Sequence, residues 1–421
     1  MRVFKFGGAS VKDANAIKNV VEIIEDYSSK SKKLIIVVSA IGKTTNKLEQ
    51  LVKQIFENKN ASIEITNEII KEHIDIAIQL GFDANSDVIR HIETTQERIL
   101  GFISSNESNN YNYVYDQIVS KGEVLSSLIL NEYIRFKGNN CIFVNARHLI
   151  KTDSNYTDAN ILWKETEEAI QDTIAKISEK IIVTQGFIGA NSEMLYTTLG
   201  REGSDYTAAI ISYALKIEEL TIWKDVDGVY TADPKKFPEA TIINQLSYKE
   251  AIEMTFYGAQ IIHPKTIKPI QNSNCILKVK SFINKEAKGT EIGNFDISNY
   301  NPVIVLKEQQ VLYTFSVRDF SFLNENNLGK IIDTFGKYSL RINLMQNTAI
   351  QFIVATDEKI GKNEQIIEDL GNHFEIQVEN NLQLLTIRHY HPEIIKSYTE
   401  NKNIFISQRN PDTVQYLIRT S

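Results

Sequence analysis

The sequence has 421 residues, and its 46 Lys and Arg stand against 53 Asp and Glu, which gives a formal net charge of −7. Hydrophobic residues make up 42% and charged residues 24% of the chain, a globular composition that excludes a disordered or collagen-like protein. The mild acidity argues against a nucleic-acid partner. The sequence offers neither the apolar run of a membrane span nor the apolar region of a signal peptide. Its two distant cysteines fit a reducing compartment, so we expect a cytoplasmic protein.

Strand and helix patterns alternate through the first 300 residues. Residues 3–6 form a predicted strand that ends in two glycines, residues 13–27 an amphipathic helix, and residues 34–38 an apolar strand typical of a parallel sheet. This alternation predicts an α/β domain with a mainly parallel central sheet. Helices are also predicted around Leu48 and over residues 60–104. Further strands are predicted at residues 141–144, 181–184, 220–223 and 276–279.

The pattern changes near residues 300–302. Two rounds of strand–helix–strand–strand follow, and they predict two small α+β modules. We therefore place a first domain at residues 1–300 and a second region at residues 301–421. The first round is predicted at residues 311–317, 328–338, 342–346 and 350–355, with a further helical stretch at 366–370. The second round is predicted at residues 382–387, 394–398, 404–407 and 414–418.

Glycines and hydroxyl residues follow the first two predicted strands. Lys5-Phe-Gly-Gly-Ala-Ser lies where a strand gives way to a helix, a place where free backbone N–H groups and a lysine favour an anion. The stretch Ser39-Ala-Ile-Gly-Lys-Thr-Thr-Asn follows the second strand, where open α/β sheets bind ligands. A plain turn in the first case, and helix capping by Thr44 or Thr45 in the second, remain alternatives.

Two later stretches place charged residues beside glycines. Glu123 follows a glycine in a helical context, and by itself it reads as a solvated charge. Arg201 lies in Leu-Gly-Arg-Glu-Gly-Ser-Asp and suits bidentate binding of a carboxylate. For Asp205 in the same stretch, the sequence leaves open a metal ligand, a partner for Lys5 or a cap of the following helix.

An acidic loop and a histidine come next. The stretch Trp223-Lys-Asp-Val-Asp-Gly-Val-Tyr-Thr-Ala-Asp-Pro-Lys combines three aspartates with turn pairs and is typical of a loop that holds a nucleotide. It lacks the first ligand of a calcium loop, because Trp223 occupies that place. His263, in Tyr-Gly-Ala-Gln-Ile-Ile-His-Pro, is expected to be a core histidine rather than a catalytic base.

Together and in this order, these motifs resemble those of aspartate kinase, a member of the amino acid kinase family. The resemblance covers nearly the whole chain, and the region after residue 300 looks like the pair of ACT regulatory modules of that family. It implies an αβα sandwich with a mainly parallel central sheet, followed by two α+β ACT modules. It also implies transfer of the γ-phosphoryl group of ATP to the β-carboxylate of L-aspartate, the first step of lysine, threonine and methionine synthesis.

The resemblance also implies roles for individual residues. Lys5 would stabilise the transferred phosphoryl group, Asp205 would orient Lys5, and Mg²⁺ would be held mainly by the ATP phosphates, with no metal site in the protein. The residues implied for L-aspartate are Ser39, Thr45, Glu123, Arg201 and Ser204, with Glu123 facing the ammonium group. The residues implied for ATP are Lys5, Gly7, Gly8, Ser10, Lys224, Asp225, Tyr230 and Lys235.

The sequence departs from the family pattern in three respects. Gln260 stands where the family often has Lys, and Lys224 where Thr is common. In lysine-inhibited relatives a Ser and an Asp of the first ACT module bind the effector, whereas the matching stretch here carries Arg341 and Asn343. These two residues are the regulatory candidates, and the identity of an amino-acid effector stays open. We expect a homodimer formed through the ACT modules.

Two other functions stay open at this point. A kinase of the same fold would phosphorylate another small acceptor, such as N-acetylglutamate, glutamate or UMP, although the stretch around Arg201 and the C-terminal modules favour aspartate. A non-catalytic amino-acid sensor is the second alternative. Gln260 favours the sensor. The retention of four residues argues against it, namely Lys5, Glu123, Arg201 and Asp205.

Overall fold

The chain forms two compact units, and a computed structural model describes residues 1–30, 33–259, 261–297, 299–318 and 321–419. The first unit comprises the described parts of 1–229, 242–252 and 261–297. The second comprises those of 230–241, 253–260 and 298–421. Within the described residues, no helix is both long enough and apolar enough to cross a membrane.

Short strands alternate with helices throughout the first unit. The six strands predicted there are all present, and each predicted end lies within two residues of the observed end. The strands are β1 (Arg2–Phe6), β2 (Leu34–Val38), β3 (Cys141–Val144), β4 (Ile181–Gln185), β5 (Ile188–Ala190), β6 (Tyr196–Thr198), β7 (Glu219–Lys224), β8 (Gln245–Ser247), β9 (Ile276–Ser281) and β10 (Thr290–Gly293). The sequence patterns gave no indication of β5, β6, β8 or β10, which have only three or four residues each.

Eight of these strands form one sheet in the order β3-β4-β2-β1-β7-β9-β10-β8. Neighbours pair in parallel, except β9 and β10, which are antiparallel. β2 is buried along its whole length, as expected for a strand covered on both faces. Strands β2, β1 and β7 are adjacent and parallel, so their carboxyl ends meet at one edge of the sheet, where such sheets bind ligands.

Helices cover this sheet, and their apolar faces form a large core with it. Helix α10 contains residues of both units. The helices are α1 (Ala14–Ser28), α2 (Thr44–Glu57), α3 (Lys59–Gln79), α4 (Asp87–Ser105), α5 (Tyr111–Val119), α6 (Lys121–Phe136), α7 (Ala146–Leu149), α8 (Trp163–Lys176), α9 (Gly203–Ala214), α10 (Tyr248–Tyr257) and α11 (Pro264–Asn272).

The second unit is built on an antiparallel sheet of six strands. Both predicted rounds of strand–helix–strand–strand are present, and with them the predicted fold class is confirmed. The elements are β11 (Val303–Val317), α12 (Glu325–Lys337), β12 (Ile342–Asn347), β13 (Gln351–Asp357), α13 (Lys362–Leu370), β14 (Phe374–Arg388), α14 (Pro392–Thr399), β15 (Asn403–Arg409) and β16 (Thr413–Arg419).

The two modules share this sheet, whose order is β12-β13-β11-β14-β16-β15. β11 and β14 have 15 residues each and pair along their length, with a register shift between Lys307 and Gln310. Beyond the shift, the second half of β11 pairs with β13 and the first half of β14. On the amino-terminal side of the shift, the first half of β11 pairs with the second half of β14, and that half of β14 also pairs with β16. The sequence predicted only one half of each long strand.

Candidate active site

A cleft of about 590 Å³ lies in the first unit at the carboxyl ends of β1, β2 and β7. Lys5 is the penultimate residue of β1, Ser39 directly follows β2, and Lys224 is the last residue of β7. The residues that line the cleft are Lys5, Ser39, Thr45, Glu49, Tyr115, Glu123, Thr157, Phe187, Gly200, Arg201, Glu202, Gly203, Ser204, Asp205 and Lys224.

The cleft brings together many of the residues singled out in the sequence. All five residues predicted to bind aspartate line it, as do Lys5, Asp205 and Lys224. Six residues predicted to bind ATP are not among the lining residues, namely Gly7, Gly8, Ser10, Asp225, Tyr230 and Lys235. Of these, Tyr230 and Lys235 belong to the second unit.

An ion pair between Lys5 and Asp205 forms one side of the cleft. Lys5 Nζ lies 2.5 Å from Asp205 Oδ1, and the two side chains are only 12% and 5% exposed. Asp205 belongs to the first turn of α9, where the helix dipole favours a negative charge. An ammonium group has three N–H donors, so this pairing fixes the position of Lys5 and leaves donors for a ligand.

The turn before α9 depends on glycines and on left-handed backbone. Gly200 has a φ of +74° and Glu202 a φ of +53°. Gly186 permits a close approach, because a Cβ atom there would lie 2.5 Å from Ser204 Cβ. This packing brings Ser204 and the amino terminus of α9 to the cleft, and the partial positive charge at a helix start favours an anionic ligand.

Glu123, in the first turn of α6, is buried and only partly hydrogen bonded. Its side chain is 3% exposed, so the interpretation as a solvated charge is wrong. Oε1 accepts a hydrogen bond from the Ala40 N–H at 3.1 Å, whereas Oε2 has no partner among the described residues. Burial raises the pKa of Glu123 to about 8, against the effects of backbone hydrogen bonds and of Lys5. A cation at Oε2 would compensate the buried charge.

Sequence reasoning missed four lining residues, Glu49, Tyr115, Thr157 and Phe187. Tyr115 on α5 donates its hydroxyl to Glu49 Oε1 on α2 at 2.8 Å. Glu49 lies one helical turn after Thr45, and residues four apart share a helix face. That spacing was the available signal. Helix α2 begins at Thr44 without a side-chain cap, so the alternative that Thr44 or Thr45 caps it is wrong.

The buried carboxylate of Asp116 connects segments next to the cleft by hydrogen bonds. The side chain is fully buried and accepts hydrogen bonds from the Thr157 N–H at 3.1 Å, the Thr198 N–H at 2.9 Å and the Thr198 hydroxyl at 2.6 Å. Burial raises the pKa of Asp116 to about 6, although these bonds oppose the rise. The carboxylate thereby joins α5 to the Thr157 loop and to β6.

The glycine-rich segment after β1 packs against the segment after β2. A Cβ atom at Gly8 would lie 2.8 Å from the Ala40 carbonyl oxygen, and the Gly42 N–H donates to the Gly8 carbonyl at 3.1 Å. Gly8 begins a 3-10 helix of four residues, and α1 starts only at Ala14. Ser10 is buried, with its hydroxyl 3.5 Å from the Trp223 carbonyl oxygen. Close packing therefore gives a structural reason for Gly8.

Most of the residues predicted to bind ATP do not line the cleft. Lys224 donates from Nζ to the Ile261 carbonyl oxygen, and Asp225 next to it is exposed. Gln260, the position where the family often has a lysine, lies outside the residues that the structure describes. The structure thus brings one of the loop residues, Lys224, to the cleft.

His263 is not a core histidine, and that prediction is wrong. It is half-buried at the amino end of α11, where Nδ1 accepts a hydrogen bond from the Lys265 N–H at 3.2 Å. Its backbone N–H donates to Glu202 Oε2 at 2.9 Å. The pKa of His263 is lowered mainly by burial. The residue therefore caps a helix and ties α11 to the turn before α9.

The regulatory candidates lie in the second unit and already have partners there. Arg341 stacks over the Phe256 ring at 4.8 Å and donates to the Phe256 carbonyl oxygen at 3.1 Å. Asn343 Oδ1 accepts from Lys307 Nζ at 2.9 Å, and Asn343 Nδ2 donates to Asp357 Oδ1 at 2.8 Å. The acceptor oxygen of Asn343 is therefore occupied by an ammonium group of the same chain.

The side chains described offer little to a bare metal ion. No group of three or more His, Cys, Asp or Glu residues is arranged to hold one in the described part of the chain, and Asp205 is paired with Lys5. Mg²⁺ commonly keeps several waters and takes only one or two carboxylates together with substrate phosphates.

Comparisons with known proteins place the sequence among kinases of small molecules. The model of the amino acid kinase family matches residues 1–281. Bifunctional aspartokinase/homoserine dehydrogenase 1 (chloroplastic) of Arabidopsis thaliana is 33% identical over 301 residues, 69% of this chain and 32% of that protein. This chain spans 32–34% of the length of such bifunctional relatives. Aspartokinase 1 (chloroplastic) of the same plant is 30% identical over 394 residues, 88% of this chain and 66% of that protein.

Solved structures extend the likeness to both units. E. coli aspartokinase III in complex with lysine and aspartate has a TM-score of 0.82 at 24% identity, covering 99% of this chain and 95% of that one. The same enzyme with aspartate and ADP has a TM-score of 0.79 at 25% identity, covering 99% and 96%. The fold of each unit therefore has counterparts of known structure.

Proposed function

This chain belongs to the amino acid kinase family, and we propose that it is an aspartate kinase, which transfers the γ-phosphoryl group of ATP to the β-carboxylate of L-aspartate. One observation carries the proposal. The fixed ammonium of Lys5 and the unpartnered oxygen of buried Glu123 line the same cleft. The likeness to aspartokinases from a plant and from E. coli supports it.

The chemistry requires positioning more than proton transfer. A carboxylate is ionised at neutral pH, so its oxygen attacks the γ-phosphorus without a general base. As that bond forms, the bond from the γ-phosphorus to the bridging oxygen breaks and ADP departs. Catalysis of such a transfer consists of alignment and of neutralising charge on the phosphoryl oxygens. Lys5 supplies a positive charge whose place is fixed by Asp205, and the amino terminus of α9 adds a favourable dipole.

The charges in the cleft suit an amino-acid acceptor. The acidic side chains Glu49 and Glu123 come from α2 and α6, which pack against each other and against α5. The basic side chains Lys5, Arg201 and Lys224 come from β1, the turn before α9 and β7. We assign the ammonium group of L-aspartate to Glu123 and a carboxylate to Arg201, whose guanidinium binds carboxylates in bidentate fashion. Ser39, Thr45 and Ser204 complete the aspartate site.

The nucleotide site extends from the same edge of the sheet. We assign ATP to Lys5, Gly7, Gly8, Ser10, Lys224 and Asp225, all of which belong to the first unit. The support is the glycine-rich segment after β1 and the aspartate-rich loop after β7. Mg²⁺ would accompany the phosphates and add positive charge around the transferred group.

We further propose that the two regions of the chain have different roles. Residues 1–300 form the catalytic domain, and residues 301–421 form a regulatory region of two ACT modules that binds an amino-acid effector and forms a homodimer. The fold of the second unit and the lysine complex of the E. coli enzyme support a regulatory role. Because Lys307 occupies the acceptor oxygen of Asn343, we propose that free lysine is not bound by Asn343 here. We assign the activity to the cytoplasm.

An assay of Mg-ATP consumption tests the function. The purified chain is incubated with L-aspartate, L-glutamate, N-acetyl-L-glutamate or UMP, and hydroxylamine traps any acyl phosphate. We expect ADP release and a hydroxamate with L-aspartate alone. Turnover with another acceptor would show that the proposed substrate is wrong. Binding of amino acids without any ATP consumption would favour a sensor. A gel-filtration volume matching the 48.0 kDa monomer would contradict the homodimer.

A further inference from the structure

Two residues that no sequence motif indicated line the cleft beside the proposed aspartate site. Glu49 and Thr45 lie four residues apart on α2 and so share one helix face, and both line the cleft. Tyr115 reaches the cleft from α5 and donates its hydroxyl to Glu49 Oε1 at 2.8 Å. Helices α2 and α5 pack against each other, and the hydrogen bond between these two residues spans them at the cleft.

The hydroxyl of Tyr115 serves as a hydrogen-bond donor at all physiological pH values. Burial raises the pKa of Tyr115 far above its ordinary value, and the hydrogen bond to Glu49 raises it further. The charges of Glu49, Asp116 and Glu123 act in the same direction. Tyr115 therefore lies within electrostatic reach of both lining glutamates, and it holds Glu49 Oε1 in a fixed position.

Basic side chains close to Glu49 in sequence are engaged elsewhere. Lys47 pairs with Glu68 and Glu72, at 2.6 and 2.5 Å. Lys53 lies 3.7 Å from Glu57. Glu49 is exposed, and in the described part of the chain its carboxylate accepts one hydrogen bond, from Tyr115, and forms no ion pair. The carboxylate is available to a positively charged ligand group.

We infer that the Tyr115–Glu49 pair is a second recognition point for the ammonium group of the acceptor, beside Glu123. The pair selects free amino acids over acceptors whose nitrogen is acylated or missing. An amide nitrogen or a methylene group would remove water from Glu49 without supplying a charge, and an unpaired charged group loses more than a neutral one. The inference rests on the proposed function, since it assumes an amino-acid acceptor.

Two substitutions test the pair in the full chain. Glu49→Gln removes the charge and keeps the shape, and Tyr115→Phe removes the hydroxyl that holds Glu49. Glu57→Gln is the matched control, because Glu57 lies on the same helix, is exposed and does not line the cleft. The readouts are the KM for L-aspartate, the KM for ATP, kcat, and the inhibition constants of succinate and N-acetyl-L-aspartate, which lack the ammonium group.

We expect Glu49→Gln to raise the KM for L-aspartate about tenfold, in keeping with the loss of one charge-assisted contact. The KM for ATP, the kcat and the inhibition constant of succinate should stay within about twofold. We expect Tyr115→Phe to show a smaller change of the same kind, and Glu57→Gln none. If the constants for L-aspartate and succinate rise together, or if neither changes, the pair has only a structural role and the inference is wrong.

The wild type separates this inference from the proposed function. If it phosphorylates L-glutamate instead of L-aspartate, the proposed substrate is wrong, and the same comparison with glutarate still tests the pair. If it phosphorylates only UMP, the proposed function and the inference both fail.

Discussion

The cleft of the first unit and the cluster around Asn343 in the second unit differ in how completely their polar groups are hydrogen bonded. In the cleft of the first unit, Glu123 keeps one oxygen without a partner, and Lys5 is held by a single carboxylate. In the sheet of the second unit, Asn343 is bonded at both ends of its amide, to Lys307 on one side and to Gln310 and Asp357 on the other. The first arrangement is incomplete without a ligand, whereas the second is complete within the chain.

This difference indicates where ligand chemistry is concentrated. Unsatisfied buried groups cost folding free energy, and they persist where binding of a ligand removes the cost. A fully bonded polar cluster stabilises its surroundings and offers little to a new ligand. We therefore expect Asn343, whose amide is bonded at both ends, to be less available to an effector than the cleft residues are to a substrate.

Lys5→Ala should have the largest effect. It removes the positive charge assigned to the transferred phosphoryl group, so we expect kcat to fall by about 10²–10³-fold, measured by coupled ADP release. Asp205 would lose its partner, and the double variant Lys5→Ala/Asp205→Asn should recover stability without recovering turnover. Lys53→Ala is the exposed control. Unchanged turnover in Lys5→Ala would remove Lys5 from the chemistry.

Glu123→Gln should change the pH dependence of stability. Because burial raises the folded-state pKa of Glu123 to about 8, the folded chain holds a proton that the unfolded chain has released. The stability conferred is therefore full below the ordinary pKa of about 4.5 and is lost as pH rises through about 8. Between about pH 6 and about pH 9, the unfolding temperature of Glu123→Gln should fall less than that of the wild type, by scanning calorimetry. Glu57→Gln should follow the wild type.

Asp116→Asn tests a satisfied group inside the first unit. The amide would place N–H groups toward the Thr157 N–H or the Thr198 hydroxyl and lose acceptor capacity. We expect a loss of about 1–3 kcal/mol in the free energy of unfolding, measured by urea denaturation. A loss below about 0.5 kcal/mol would show that these bonds contribute little. Asp172→Asn, on the exposed face of α8, is the control.

Lys307→Ala should have the smallest effect on activity. It removes one hydrogen bond to Asn343 and a 3.8 Å contact with Asp357, and we expect a loss of about 1 kcal/mol in stability with kcat within about twofold of the wild type. The substitution also frees the Asn343 acceptor. Millimolar L-lysine should leave the wild type uninhibited and should inhibit Lys307→Ala. Equal inhibition of both proteins would contradict the proposed role of Lys307.

The sequence predicted the layered architecture because long apolar patterns dominate it. Residues 34–38 are all apolar and predict a buried strand, and the observed strand begins and ends at the predicted residues. Strand β10 has four residues, and the second half of β11 was predicted while its first half was missed. Short edge strands and register shifts leave no periodic signal, since tertiary pairing decides them.

The site was predicted in part, and for a definite reason. Residues within ordered motifs, such as Lys5 and Arg201, were identified because several glycines and charges occur together. Tyr115 and Glu49 carry no such pattern, and only the packing of α2 against α5 brings them together. His263 was misjudged because an apolar neighbourhood in sequence does not distinguish a core position from a helix cap.

The long shared strands of the second unit have a consequence for synthesis on the ribosome. The first half of β11 pairs with the second half of β14, roughly 80 residues later in the chain. During translation, Val303-Ile-Val-Leu therefore emerges well before its partner strand, as an apolar segment with β-branched residues that favours wrong pairing. The earlier module can complete its strands first, whereas the first half of β11 stays unpaired until the second half of β14 has been made. A premature stop after α13 would thus leave β11 without β14 along its whole length.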